Sequence, residues 1–420
     1  MDINGANILI DGISLQQLQT RGIKTYSLNL LEAYKGLCAN PSILISQYSP
    51  MSDIGINADI STIFNKMNNY NYIKRLFPLW IKTIFGMSAN ADLLDIPTDL
   101  RTTKDNSFIY DANIYGSQEC YKIANHLRFL GLKLKIATSS KVDIWHTSNL
   151  TPLNIKRAVR ISTIHDIIPL ALPDVTTWKP NIYNRLIRDT IKDSRLILCV
   201  SEYTKSDLMR FFDVSPDKLV VSYQPVSLTN EVIVEDTMVN RLRSLQIEYG
   251  QYILVVGTIE PRKNLKRLIK AYLSLLIEIP LVIVGAKGLR WDSELAQLDT
   301  KSNNVRILDY VSETDKYILY KGALFLAFPS LYEGFGLPAI EAMIAGVPVL
   351  TSSVSCLPEV CGDAALYVDP YDVQDIANKM TMMINDKQLR QRLIAAGYEK
   401  AKFFSMDNFV KGLKKAYSKI

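Results

Sequence analysis

Short apolar runs, each closed by polar or turn-forming residues, recur along this chain, and stretches of helical period lie between most of them. The first run is NILI, Asn7 to Ile10, ended by Asp11-Gly12. A helical pattern follows from about Ile23 to Leu37, with Gly22 just before it. VDIWHTS carries His146, and RISTIHDIIPL carries His165 and Asp166. LILCV leads to Ser201, a candidate N-cap, and then a helix; LVVSYQP closes this half at about Pro225. Residues 226–250 are polar and charged, with one helical stretch, and read as a linker. The rhythm then restarts with QYILVV, PLVIVG, VRILDYVS and LFLAF. Uninterrupted apolar strands alternating with helices predict a doubly wound parallel α/β fold. The 420 residues exceed what one core holds, so two such domains are expected.

The richest stretch runs from Phe328 to Ser352, FPSLYEGFGLPAIEAMIAGVPVLTS. It predicts a strand from Leu324 to Phe328, a tight loop at Gly334 and Gly336, and a helix from Pro338 to Ala345 closed by Gly346. A further strand is expected from Val347 to Leu350. Glu333 lies on the loop and Glu341 about a turn into the helix. Backbone N–H groups and the positive end of the helix lie between them, a ready anion site.

Residues 50–110 carry the weakest pattern. Within YIKRLFPLWIKTIFGM, residues 72–87, Ile73, Phe77, Trp80, Ile81 and Ile84 recur at helical spacing among Lys74, Arg75 and Lys82. The segment fits a basic amphipathic helix on anionic lipid or a helix packed on its own domain.

Composition narrows the class. The chain is 48% hydrophobic and 21% charged, a globular balance, and its net charge of +6 is mild. There is no dense Lys/Arg block and no zinc-finger spacing, so nucleic acid is not an expected partner. The five cysteines, Cys38, Cys120, Cys199, Cys356 and Cys361, are odd in number and form no C-x-x-C pair. Reduced thiols in a cytoplasmic protein are the expectation. The N-terminus has no basic region followed by a long apolar core, and no run reaches membrane-spanning length.

A glutamate, FGLP, a second glutamate eight positions after the first and G-x-PV together resemble the signature of the family-four retaining glycosyltransferases of the GT-B class. The resemblance is strong across about 140–225 and 250–420 and thin across 40–130. It implies two Rossmann-like domains facing across a cleft: an acceptor-binding domain at 1–225, a nucleotide-sugar-binding domain at 226–400, and a last helix at 401–420 that crosses back to the first domain. It implies that Glu333 holds the sugar hydroxyls and Glu341 the donor ribose, with the Phe335, Gly336 and Leu337 amides beside them. Gly22 would approach the donor diphosphate, and the base would lie near Tyr310-Val311. His165 matches the family's first-domain histidine, near the transferred sugar.

GTIEPRKN, Gly257 to Asn264, resembles the family's phosphate loop, and Lys263 falls at the lysine spacing after Gly257. The family's arginine one residue after that glycine is Thr258 here, and Arg262 is the expected substitute. Such cations stabilise charge growing on a leaving diphosphate. No D-x-D pair occurs, and the three histidines are scattered, so a metal-independent reaction with no cofactor is expected. The GTIEPRKN variant resembles bacterial mannosyl- and rhamnosyltransferases of surface polysaccharide assembly, so the expected donor is a nucleotide sugar, GDP-mannose first, and the acceptor a glycan or lipid-linked glycan. A dTDP- or UDP-sugar donor, a GT-B epimerase or phosphorylase, and a catalytically silent GT-B binding partner are the alternatives. A cytoplasmic enzyme, peripheral on the inner membrane face if 72–87 meets lipid, fits this reading.

Overall fold

A computed structural model of the chain describes residues 3–16, 21–47, 81, 87–94, 112–228, 233–298, 304–309 and 311–420. Apart from Ile81 and Met87, the 72–87 segment lies outside the described residues, and so does Tyr310.

The described strands form two sheets. The first holds β1 (Asn7–Asp11), β2 (Asn40–Gln47), β3 (Ala89–Leu93), β4 (Asn113–Gln118), β5 (Leu134–Thr138), β6 (Ile144–Thr147), β7 (Leu153–Ile155), β8 (Val159–Ile164), β9 (Leu196–Cys199) and β10 (Leu219–Val221). Their order is β10-β9-β8-β6-β1-β2-β4-β3-β5-β7. β3 and β4 pair antiparallel; the other neighbours are parallel. The second sheet holds β11 (Ile253–Val256), β12 (Leu281–Val284), β13 (Val305–Leu308), β14 (Phe325–Phe328), β15 (Val349–Ser352) and β16 (Ala365–Val368), all parallel, in the order β13-β12-β11-β14-β15-β16. Helices cover parallel sheets on both faces, so their strands are apolar throughout. LILC of β9, LVIV of β12 and FLAF of β14 are buried at every position. Each large side chain so buried contributes about 1.5–3 kcal/mol.

β11 has β12 on one side and β14 on the other, so the chain reverses its winding there. Loops at the carboxyl ends of strands flanking such a switch point form a crevice. The loop after β11 is GTIEPRKN, and the loop after β14 carries Glu333. Strand order alone therefore brings the two motifs together.

The elements match the apolar pattern, with small shifts at their ends. The first long helix spans Arg21–Gly36. The helix after β14 spans Leu337–Ala345. The next strand begins at Val349 rather than Val347, because the Gly346 and Val347 amides bond back to Met343 O (3.1 Å) and Ala342 O (2.9 Å). Those two bonds close the helix with glycine in the left-handed region and leave Val347 outside the sheet. Ser201 caps the Glu202–Phe211 helix, accepting from Thr204 N at 3.0 Å.

Position 401 falls inside the Lys387–Lys402 helix. The chain turns through Phe403 and Phe404, and the Met406–Tyr417 helix then packs on Arg21–Gly36 of the first half. There the Tyr417 hydroxyl meets that of Tyr34, which bonds His146 Nδ1. His146 Nε2 meets Thr163 Oγ1 at 2.8 Å, and Thr163 Oγ1 meets Tyr26 OH at 2.8 Å. Burial holds the His146 pKa down at about 3, so it sits in the core as a neutral, fully bonded ring.

Candidate active site

The Pro261–Lys263 turn projects two cations from the loop after β11. Asn264 follows at φ 61°, and its side-chain amide donates to Pro329 O (3.0 Å) and Pro370 O (2.7 Å). Leu331 N donates to Arg262 O at 2.8 Å. These bonds lock the β11 and β14 loops to each other. Gly257 sits at φ +142°, and a Cβ there would lie 3.1 Å from Lys263 Cε. A side chain at 257 would therefore strain the backbone and displace the lysine.

Glu333 lies between the two cations. Lys263 Nζ is 2.7 Å from its Oε1, and Arg262 Nη1 is 2.6 Å from its Oε2. Arg262 also pairs with Glu260 at 2.6 Å, and Lys263 Nζ stands 4.6 Å from the centre of the Phe328 ring. The cluster is buried: the Glu333 side chain is 9% exposed and that of Lys263 11%. Burial alone would raise the Glu333 carboxyl, but Arg262 and Lys263 outweigh it and hold the pKa at about 2. Burial lowers the Lys263 ammonium against the pull of Glu333, whereas Arg262 ends above its ordinary value because Glu333 and Glu260 overcome its burial. Arg262 thus reaches the same carboxylate as Lys263, while Thr258 is exposed.

Past Glu333, Gly336 (φ 94°) is the N-cap of the Leu337–Ala345 helix. The Phe335 ring is buried against Phe404, centroids 5.3 Å apart. Glu341 is held by Lys316 Nζ at 3.0 Å and by Tyr320 OH at 2.8 Å, both from the Glu313–Lys321 helix. Val311, just before that helix, is buried in the core. Gly22 faces the same helix mouth: a Cβ there would lie 3.5 Å from Leu337 Cδ1.

The opposite wall comes from the first sheet. His165 follows β8 and stands edge-on to Tyr26, ring centroids 4.8 Å apart. Its Nε2 is buried without a hydrogen-bond partner among the described residues. Burial lowers its pKa to about 4 against the effect of a hydrogen bond to the Ser148 backbone, so the ring is neutral at pH 7. A Cβ on Gly334 would lie 2.1 Å from His165 O, so only glycine lets the Glu333 loop come this close. Asp166, beside His165, has its pKa raised by burial.

The structure therefore gathers Lys263, Arg262 and Glu333 into one cluster, with Gly257 beneath it and Gly334 against His165. Glu341 stands apart, against Lys316 and Tyr320 of the Glu313–Lys321 helix. The sequence did not single out Tyr332, Asp207, Glu260, Lys316 or Tyr320. Tyr332 and Glu260 lie within the two motifs; no local pattern marks the others.

Two family models match the chain: Glycosyltransferase Family 4 over residues 115–230 and Glycosyl transferases group 1 over residues 241–400. The O-antigen chain mannosyltransferase B of Escherichia coli is 34% identical over 275 residues, which are 63% of this chain and 71% of that protein. The chain belongs to the glycosyl transferases group 1 family. This glycosyltransferase is also 31% identical over 263 residues to the serotype-specific mannosyltransferase WbdA of Escherichia coli, covering 59% of its own length and 32% of the relative. Its fold matches the sucrose-phosphate synthase of Thermosynechococcus elongatus with a TM-score of 0.70 and 15% identity over 98% of each chain. The two facing sheets are the GT-B architecture. No described helix is long and apolar enough to cross a membrane.

Proposed function

We propose that this glycosyltransferase moves a mannosyl group from GDP-mannose to a hydroxyl of a glycan or lipid-linked glycan in O-antigen assembly, with retention of the anomeric configuration. The observation that carries the reading is Glu333, buried and bridged by Lys263 and Arg262 at the mouth of the Leu337–Ala345 helix. The mannosyltransferase activity in the name of the Escherichia coli relative supports mannose as the sugar.

An incoming diphosphate competes with Glu333 for its two cations. As the phosphate oxygens take Lys263 and Arg262, the Glu333 oxygens turn to the sugar hydroxyls. The glycosidic C1–O bond breaks, and its electron pair leaves on the diphosphate, where the two cations and the helix mouth meet the growing charge. The acceptor oxygen bonds C1 from the same face and passes its proton to the leaving phosphate oxygen. Neutral His165, with Nε2 unpaired among the described residues, bonds a sugar hydroxyl and does not act as base. Glu341 holds the ribose. Lys263 and Arg262 do the work a divalent ion does on other diphosphate donors, so turnover should survive EDTA.

Thermal shift with GDP-, UDP- and dTDP-sugars tests the donor, because a ligand bound only to the native state raises Tm. GDP-mannose should give the largest shift, and product NMR should show an α-mannoside. A larger shift with UDP- or dTDP-sugars overturns the donor, and an inverted anomer overturns retention. Cytoplasmic placement, and membrane contact through 72–87, belong to the same reading. Replacing Lys74, Arg75 and Lys82 by Gln should weaken binding to anionic vesicles by about 1 kcal/mol per charge.

A further inference from the structure

The Glu202–Phe211 helix of the first domain receives three separate polar contacts from the second. Its N-cap, Ser201, donates from Oγ to Gly334 O at 2.8 Å. The Tyr332 hydroxyl donates to the Asp207 carboxylate, with both residues buried. Glu359 accepts from Glu202 N at 2.7 Å and Tyr203 N at 2.9 Å, and its Oε1 also takes the Tyr223 hydroxyl at 2.7 Å. Tyr332 and Gly334 are the two neighbours of Glu333 in the chain.

The Glu333 loop therefore has two kinds of anchor. Its carboxylate is tied to the cations of its own domain, and its flanks are tied to the domain that carries His165. The first tie is the one a diphosphate must loosen. The Ser201 and Asp207 bonds of the second do not use the cations, although Arg262 Nη1 also donates to the Tyr332 carbonyl at 3.2 Å. A tyrosine hydroxyl donating to a carboxylate is a charge-assisted bond, the stronger class of hydrogen bond.

We propose that Asp207 is a positioning residue: through Tyr332 it holds Glu333 in register with His165 across the domain boundary while substrate occupies the site. The inference rests on the reading of Glu333 as the carboxylate that meets the sugar. Asp207 touches no reacting atom and acts through the Tyr332 hydroxyl. Asp207 also pairs with Arg210 at 2.8 Å, whose side chain is 60% exposed.

The test uses Tyr332→Phe, Asp207→Ala and Asp207→Asn in the full chain. Phe keeps the ring and loses the hydroxyl; Asn keeps an acceptor for it. Tyr332→Phe and Asp207→Ala should each lower kcat about tenfold, with KM for the donor and affinity for GDP little changed, since the error is one of alignment. The double variant should be no worse than either single one, because both remove the same bond. Asp207→Asn should recover most of the kcat lost in Asp207→Ala. Hydrogen–deuterium exchange with GDP bound supplies a readout that needs no turnover. The 331–336 amides should exchange faster in Tyr332→Phe than in wild type. Unchanged kcat in Tyr332→Phe, or unchanged exchange at 331–336, overturns the proposal, as does a lowered Tm with kcat and KM both intact. An inert wild type with a loosened variant loop would instead count against the transferase reading and leave the anchor standing.

Discussion

The two walls that meet at Glu333 are built from opposite materials. The wall from the second domain is ionic: Glu333, Lys263, Arg262 and Glu260 form one buried cluster, with Glu341 and Lys316 beyond it. The wall from the first domain centres on an uncharged ring, with the buried Asp166 carboxyl beside it. His165 is uncharged at pH 7, Tyr26 meets it edge-on, and the Tyr34, His146, Thr163 and Tyr417 network behind carries no net charge. A nucleotide sugar has the same division, a dianionic diphosphate joined to an uncharged ring. The ionic wall is pre-paired, so its charges are bonded before ligand arrives. The first-domain wall leaves one ring nitrogen, His165 Nε2, unbonded within the described residues. The two cations that can change partners, Lys263 and Arg262, both sit on the second domain.

The largest effect should come from removing a cation. Lys263→Ala should lower turnover roughly 100-fold or more, the cost of one preorganised partner for a developing negative charge. Arg262→Ala should do the same, because its Nη1 reaches the same carboxylate as Lys263. Wild-type rates in the Arg262 variant would show that Thr258 has no functional replacement there. Stripping one side of a buried ion pair costs about 3–5 kcal/mol, so Tm must be measured beside the rates.

Glu333→Gln should lower turnover less, on the order of 10- to 100-fold, because hydroxyl contacts that tighten in the transition state are weakened rather than lost. Binding of GDP should survive, and the Tm rise on adding GDP should exceed that of wild type. The diphosphate then supplies the counter-charge that Lys263 has lost. Loss of GDP affinity would show that the carboxylate holds the nucleotide.

Glu341→Ala should weaken GDP binding about tenfold, or ~1.4 kcal/mol, with turnover at saturation little changed. Calorimetry beside initial rates separates this from the Glu333 variant. If the affinity loss appears at Glu333 and the rate loss at Glu341, the two roles are exchanged.

The smallest effect concerns acid. His146 and His165 titrate at about 3 and about 4 in the folded protein, below their ordinary 6.5. The unfolded chain therefore binds more protons between those values, so stability rises with pH through that window and falls as acid is added. Tm should be level above pH 7 and drop between about pH 6.5 and pH 4. His146→Gln should flatten the slope, and an unchanged slope would mean that the ring is not held neutral by burial.

Much of this was legible in the residues. Strands such as LVIV and FLAF read as buried parallel strands because helices cover both faces, so the apolar run is unbroken. GTIEPRKN and the Glu333–Glu341 stretch announced themselves because residue type and spacing are local. His146 did not reveal its place: the same apolar context fits a ligand-facing ring and a core ring, and only its bonds to Tyr34 and Thr163 decide. Asp207 was invisible for a different reason. Its partner Tyr332 is 125 positions away, and an acidic residue on an amphipathic helix carries no mark of what it meets.

By itself the sequence determined the two α/β halves, the apolar strands, the glycines at 257 and 334, and the residue types that can meet a diphosphate. These follow from periodicity and side-chain chemistry, which act over a few residues. Only the tertiary structure decided that β11 and β14 are neighbours, that Glu333 is shared by Lys263 and Arg262, and that the Glu202–Phe211 helix clasps the Glu333 loop from the other domain. Those are pairings between segments far apart in the chain. They are selected by how whole sheets and helices pack and by the need to bond every buried polar group, and no local pattern encodes either.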